Sequence, residues 1–423
     1  MKSFFQKIRD ESQKVLQGDG DDNSRSLETA PEHPHPPPSE EHEGGEMQSG
    51  EGTSPPGPGS PSWHHQHPPY HPDIDNTQPE GESPLNVCNV ERLGFQVANN
   101  SASYRDLGFT GEIAGKWYAV FGDTMWCAPG ISNFLEDTPG FHGMVRDSVS
   151  LLTDDPLTVV DLNLNDDSPV PHQNQLIPFN EEWDETNQYG FGGTSLCETD
   201  AENATAALYY LVNGNETGGL VGAGVAKVEV INDTPTVTKR FGDRGFWWDS
   251  NTTAKYGDQC AYRDERSEHI YIWGGPPNSV SGWPGAGYAY LARVKAEDAF
   301  DLDKYEYFWG RQQGWKSEVL TKFDAETAVW WAVGQGQVAW NEYYQCYVLA
   351  HLSSFGDGKV YLRTATSLEG PWTPDVQVYK SEPIKGGLVY AGVQHPYLDP
   401  TGQTLVVSFT NNNHIEVIKV AFA

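Results

Sequence analysis

Tyr256-Gly-Asp-Gln259, followed by Ile270-Tyr-Ile-Trp273 and then Tyr288-Ala-Tyr-Leu-Ala-Arg-Val294, is one copy of a pattern with three parts. It opens on a Gly-rich polar segment, turns, continues as a β-branched and aromatic run, and ends on an alternating small and apolar run. Those are strand preferences, separated by turn residues. Four more copies flank it, opening at Tyr104-Arg-Asp-Leu-Gly108, Gly190-Phe-Gly-Gly-Thr194, Gly334-Gln-Gly-Gln337 and Ala391-Gly-Val-Gln-His395. Their second runs cover 117–121, 208–212, 347–351 and 405–409; their third runs cover 148–152, 224–230, 360–366 and 415–420. Self-similarity of this size in strand-forming sequence predicts an all-β fold, a five-bladed β-propeller.

Fourth strands are expected at 158–162, 236–241, 305–308 and 376–379, so the last copy lacks one. Val90-Glu-Arg-Leu-Gly-Phe-Gln-Val97, upstream of the first copy, reads as a spare strand. It is expected to complete the last blade and close the ring, which removes exposed edges.

Residues 1–85 have a different character. They are dominated by Pro, Glu, Ser, Gly and His, as in Glu32-His-Pro-His-Pro-Pro-Pro38. Ordering such a chain costs about 1–2 kcal/mol per residue in backbone entropy with little burial to offset it. This segment is expected to be a disordered tail, with the propeller at 86–423. The tail's Trp63-His-His-Gln-His-Pro-Pro-Tyr-His71 cluster is read as solvated spacer, without a metal. The formal net charge of −32 disfavours nucleic acid, whose phosphates it would repel. Five dispersed cysteines suggest neither a disulfide framework nor a zinc site, and Cys197, Cys260 and Cys346 read as small buried residues. No run is long enough to span a membrane, and the N-terminus shows no apolar signal region. The reading is a monomer without cofactor or metal, cytoplasmic or unconventionally secreted, whose natural partner is a neutral ligand.

In a meander, residues at the start of first strands and the end of second strands converge on one face. That places Arg105, Asp106, Asp258, Gln335, Gln394 and His395 beside Asp123 and His351, with Trp126 and Trp248 on nearby loops. Carboxylates and amides pair with sugar hydroxyls, and indoles cover apolar sugar faces. Glycoside cleavage commonly needs two carboxyl groups, one donating a proton and one activating water or attacking.

Tyr104-Arg-Asp-Leu-Gly-Phe-Thr-Gly111, followed by Trp117-Tyr-Ala-Val-Phe-Gly-Asp-Thr124, resembles the opening of the DUF4185 family. Tyr305-Glu-Tyr-Phe-Trp-Gly310 is similar to a later block there, and Ser367-Leu-Glu-Gly-Pro-Trp372 to a motif of furanosidase-type propellers. The resemblance, over about 88–423, implies a five-bladed propeller related to arabinanase and fructosidase folds, some members being endo-D-arabinanases. It places Asp106 and Asp123 at the family's acidic positions. The expected activity is hydrolysis of a furanoside-containing glycan, with Asp106 as base or nucleophile and Asp258 or Asp123 as acid. Arg105, Trp126, Trp248, Gln335, His351, Gln394 and His395 are expected to hold the sugar. A non-catalytic glycan-binding propeller and an intracellular scaffold recruited through the tail are the competing expectations.

Overall fold

The computed structural model describes residues 79–423 except 101, 138–141, 166–169, 171, 186–188, 215–218, 281–287 and 353–355. Most of the tail, with the Trp63-to-His71 cluster, lies outside the described residues, as does the loop carrying Trp283.

The described chain is all β, without an α-helix. It forms five antiparallel meanders. The first runs Leu107–Ile113, Lys116–Phe121, Ser148–Leu152 and Thr158–Asp161. The second runs Tyr189–Asp200, Thr205–Gly214, Gly219–Ile231 and Thr234–Arg240. The third runs Lys255–Asp264, His269–Gly275, Tyr288–Lys295 and Glu306–Phe308. The fourth runs Gln335–Asn341, Cys346–Leu352, Lys359–Ala365 and Val376–Lys380. The fifth runs Val389–Gln394, Thr404–Asn411 and His414–Phe422.

The fifth sheet takes its outer strand from the other end of the domain. Val87–Phe95 pairs antiparallel with His414–Phe422, from Val87 opposite Phe422 to Phe95 opposite Glu416. The spare strand read at 90–97 therefore closes the ring, shifted a few residues toward the N-terminus. The first strand of each sheet packs on the first strand of the next, and that of the fifth packs on that of the first. The result is a β-propeller.

Close approach around the axis explains the glycines of the inner strands. A Cβ on Gly111 would lie 2.2 Å from the Leu196 carbonyl oxygen, and one on Gly392 only 2.9 Å from the His351 amide nitrogen. Between sheets the core is aromatic. Trp273 stacks on Trp330 at 4.6 Å, and Trp372 meets Trp330 edge-on. All five cysteines are free; Cys127, Cys197, Cys260 and Cys346 are buried and Cys88 is exposed. Among the described residues no helix is long and apolar enough to cross a membrane.

Candidate active site

Four of the five inner strands carry a register shift near their start, at Leu107/Phe109, Gly192/Ser195, Tyr256/Cys260 and Tyr390/Val393. Bulges of this kind re-aim side chains. The first follows Asp106, with Leu107 at φ 62° and Gly108 at φ 92°. Asp106 is pinned on two sides. Its carbonyl accepts from the Gly122 amide at 3.0 Å, and the flanking Arg105 and Leu107 amides donate to Asn413 and Thr410 of the fifth sheet. Gly122 leaves room for the carboxyl group, since a Cβ there would meet Asp106 Oδ1 at 2.2 Å. The Arg-Asp-Leu-Gly and Phe-Gly-Asp-Thr blocks are thus two halves of one constellation.

Tyr390 Oη, from the fifth inner strand, donates to Asp106 Oδ2 at 2.5 Å. Burial, then the neighbouring Asp123 carboxylate, push the Asp106 carboxyl up to about 8; the Tyr390 hydroxyl and the Asp123 amide oppose them. Asp123 is more open, with 42% of its side chain exposed, and Arg146 Nη1 stands 3.8 Å from its Oδ1. One carboxyl group thus favours its protonated form beside a more exposed partner facing a guanidinium.

Sequence reasoning missed two members of this group, Tyr390 and Asp147. Asp147 is fully buried, and its Oδ1 accepts from the Leu176 and Ile177 amides at 3.0 and 3.2 Å. Burial pushes it up to about 8, the two amides and Arg240 pull down, and Asp123 pushes up. An acid beside Asp123 in the Arg146-Asp147 pair was visible as composition; its depth was not.

Several expected site residues do other work. Asp258 is fully buried and accepts from the Gly275 amide at 2.8 Å. Burial pushes it up to about 7 against the pull of Lys255, the charged group beside it. The Gly275 and Gln259 amides oppose that push as well. Arg105 makes a bidentate pair with Asp161, on the fourth strand of the first sheet, at 2.7 and 3.0 Å. Its guanidinium also lies over Phe121.

Trp248 is core, 1% exposed, donating to Tyr307 Oη and packed on Tyr256 and Tyr305. His351 is fully buried with Nε2 2.9 Å from Asp375 Oδ1, so it has no surface for a ligand. Gln394 closes the fifth inner strand instead of opening it. Its Nε2 donates to the Gln337 and Val348 carbonyls at 2.5 and 2.7 Å. His395 follows, buried on Ser408 Oγ, and burial lowers it to about 4. Gln335 is 3% exposed, with only a long 3.5 Å contact to the Asp258 carbonyl. Trp126 is half-buried, one indole face stacked on His172 at 3.8 Å. Among the described residues no group of His, Cys, Asp and Glu is arranged to hold a metal.

In comparisons with known proteins, a solved structure from Bacteroides ovatus matches at TM-score 0.49 and 17% identity, over 78% of this chain and 87% of that one. A GH43_1 enzyme from Xanthomonas citri complexed with xylose matches at TM-score 0.46 and 13% identity, over 78% and 91%. An exo-beta-1,3-galactanase from Phanerochaete chrysosporium matches at TM-score 0.42 and 12% identity, over 78% and 64%. No curated protein matches in sequence. The family model that matches is that of DUF4185, a domain of unknown function; the match spans residues 233–421, the last strand of the second sheet and the three sheets after it, and does not extend to Asp106 and Asp123.

Proposed function

We propose that this protein is a glycoside hydrolase acting on a furanoside-containing glycan, with Asp106 as proton donor and Asp123 as base or nucleophile. The observation that carries this reading is the Asp106–Asp123 pair: two adjacent carboxyl groups in unlike surroundings, one held toward its neutral form. Environments that separate the proton affinities of two acids mark out acid and base roles. This reverses the roles expected from sequence, which gave Asp106 the base.

In the proposed reaction the Asp106 proton passes to the glycosidic oxygen as the bond to the anomeric carbon breaks. Asp123, ionised beside Arg146, takes a proton from the attacking water or bonds to the anomeric carbon itself. Tyr390 orients the donor. Asp147, which feels the charge of Asp123, is a third acid beside the pair. The furanoside rests on the resemblance of the Tyr104–Gly111 and Trp117–Thr124 blocks, and the neutral ligand on the strongly acidic chain.

The test is a panel of arabinans, fructans and other furanoside glycans, assayed for new reducing ends with the full chain, Asp106→Asn and Asp123→Asn. Activity lost in both variants, with folding intact, is the expected result. Cleavage untouched by either substitution overturns the assignment. Saturable glycan binding without release of reducing ends replaces the hydrolase with a binding propeller.

A further inference from the structure

One short segment, residues 172–185, touches three residues of the acid-pair region in turn. His172 stacks on Trp126 at 3.8 Å. Gln175 Oε1 accepts from the Arg146 backbone amide at 2.8 Å. The Leu176 and Ile177 amides donate to the Asp147 carboxyl group, and the Leu176 amide also reaches the Asp147 carbonyl at 3.4 Å. Arg146 in turn stands against Asp123. Residues 175–177 therefore fix the stretch of backbone from which that guanidinium reaches the more open acid.

The far end of the segment is held from another sheet. Arg240, the last residue of the outer strand Thr234–Arg240, makes a bidentate pair with Glu185 at 2.5 and 2.8 Å. Its Nη1 also donates to the Pro178 carbonyl at 3.1 Å, and Glu185 Oε2 accepts from the Asn180 amide at 2.9 Å. The guanidinium lies over the rings of Trp183, Phe191 and Tyr210, and its Nε donates to Tyr210 Oη at 2.8 Å. Arg240 thus grips Pro178, Trp183 and Glu185 at once. The side chains of Arg240 and Glu185 are only 4% and 2% exposed. An ion pair this buried costs so much desolvation that it is weak evidence of stability, and its planar fork fixes direction as well as charge. Arg240 and Asp123 also act on the Asp147 proton in opposite senses, so both lie within electrostatic reach of one carboxyl group.

We propose that the Arg240–Glu185 pair is a remote positioning device for the acid pair. By pinning 178–185 it seats 175–177 on Arg146 and Asp147, and so holds the Arg146 guanidinium against Asp123. The inference rests on the reading of Asp106 and Asp123 as the reacting acids, and it adds two positioning residues that act through the segment and touch no substrate.

The test is made on the full-length protein with Arg240→Lys, which keeps the charge and loses the fork. Carbon NMR follows the Asp123 carboxyl group across pH without any substrate, and kcat and KM are measured on a cleaved glycan. With its guanidinium neighbour displaced, Asp123 is expected to titrate higher by about 1 pH unit. The kcat should fall about tenfold while KM stays within about twofold. Gln175→Ala, which leaves Arg240 in place and removes the acceptor for the Arg146 amide, should give the same shift, and it serves if Arg240→Lys does not fold. Asp375→Asn, which weakens the fourth sheet, should lower the urea midpoint and leave Asp123 where it was. An Asp123 titration unmoved in both segment variants would overturn the proposal, as would an equal movement in Asp375→Asn, which marks general loosening. The expected shift in a protein that cleaves no glycan would uphold the coupling and sink the hydrolase reading alone.

Discussion

Replacing Tyr390 with Phe removes one hydroxyl and tests the acid assignment directly. That hydroxyl donates to Asp106 Oδ2 at 2.5 Å and favours the carboxylate over the carboxylic acid. A hydrogen bond to a charged group contributes about 1.5–3 kcal/mol, which is about 1–2 pH units of proton affinity. Asp106 begins near 8. In Tyr390→Phe its titration is therefore expected to move upward by about 1–2 pH units. The measurement is carbon NMR of the Asp side-chain carboxyl groups across pH, which needs no substrate. On a cleaved glycan, the alkaline limb of kcat/KM should move in the same direction, because that limb reports loss of the donor's proton. A titration that stays in place, or moves down, would refute the reasoning, since it would mean that the hydroxyl does not stabilise the ionised form.

Further expectations concern charge, space and stability. In Asp123→Asn the titration of Asp106 should fall toward the ordinary carboxylate range, because a like charge has gone; the same NMR experiment reads it. In Gly122→Ala the new methyl meets Asp106 Oδ1, so cleavage should drop about a hundredfold while circular dichroism stays native. Asp147 binds its proton more tightly folded than unfolded, so its contribution to stability is present at low pH and lost as pH rises from about 4 through about 8. Urea midpoints of the parent relative to Asp147→Asn should therefore fall across that window, and a flat difference would count against it. Burial works against Asp375, yet Arg363 and His351 hold it ionised, below its ordinary range. Asp375→Ala should cost about 3–5 kcal/mol in urea unfolding, because it strands the fully buried Arg363.

The fold was legible because strand alternation and turn chemistry repeat, and because one copy visibly lacked a strand that another segment could supply. Individual side chains were harder to read. Asp106 and Asp123 stood out because the two blocks that carry them are consecutive strands of one sheet. Arg105 was misplaced because nothing in the sequence marks Asp161, on the fourth strand of the same sheet, as its partner. The fifth opening was set two residues too late, at Ala391 instead of Val389, and the bulge between Tyr390 and Val393 disguised the period. That error carried Gln394 and His395 to the wrong end of the strand and hid Tyr390. Trp248 shows a different limit: an indole's chemistry is the same in a core as on a sugar-binding loop. Asp147 has no motif, and its buried setting arises only when the 176–177 backbone folds over it.

The pairing of Val87–Phe95 with His414–Phe422 also orders events during synthesis. The earliest strand of the disc emerges hundreds of residues before its mate and must wait on the ribosome with its hydrogen-bonding edge uncovered. An unpaired edge attracts any passing strand, its own kind included. A chain stopped short of residue 414 would keep that edge for good, so premature termination should give aggregates instead of smaller stable discs.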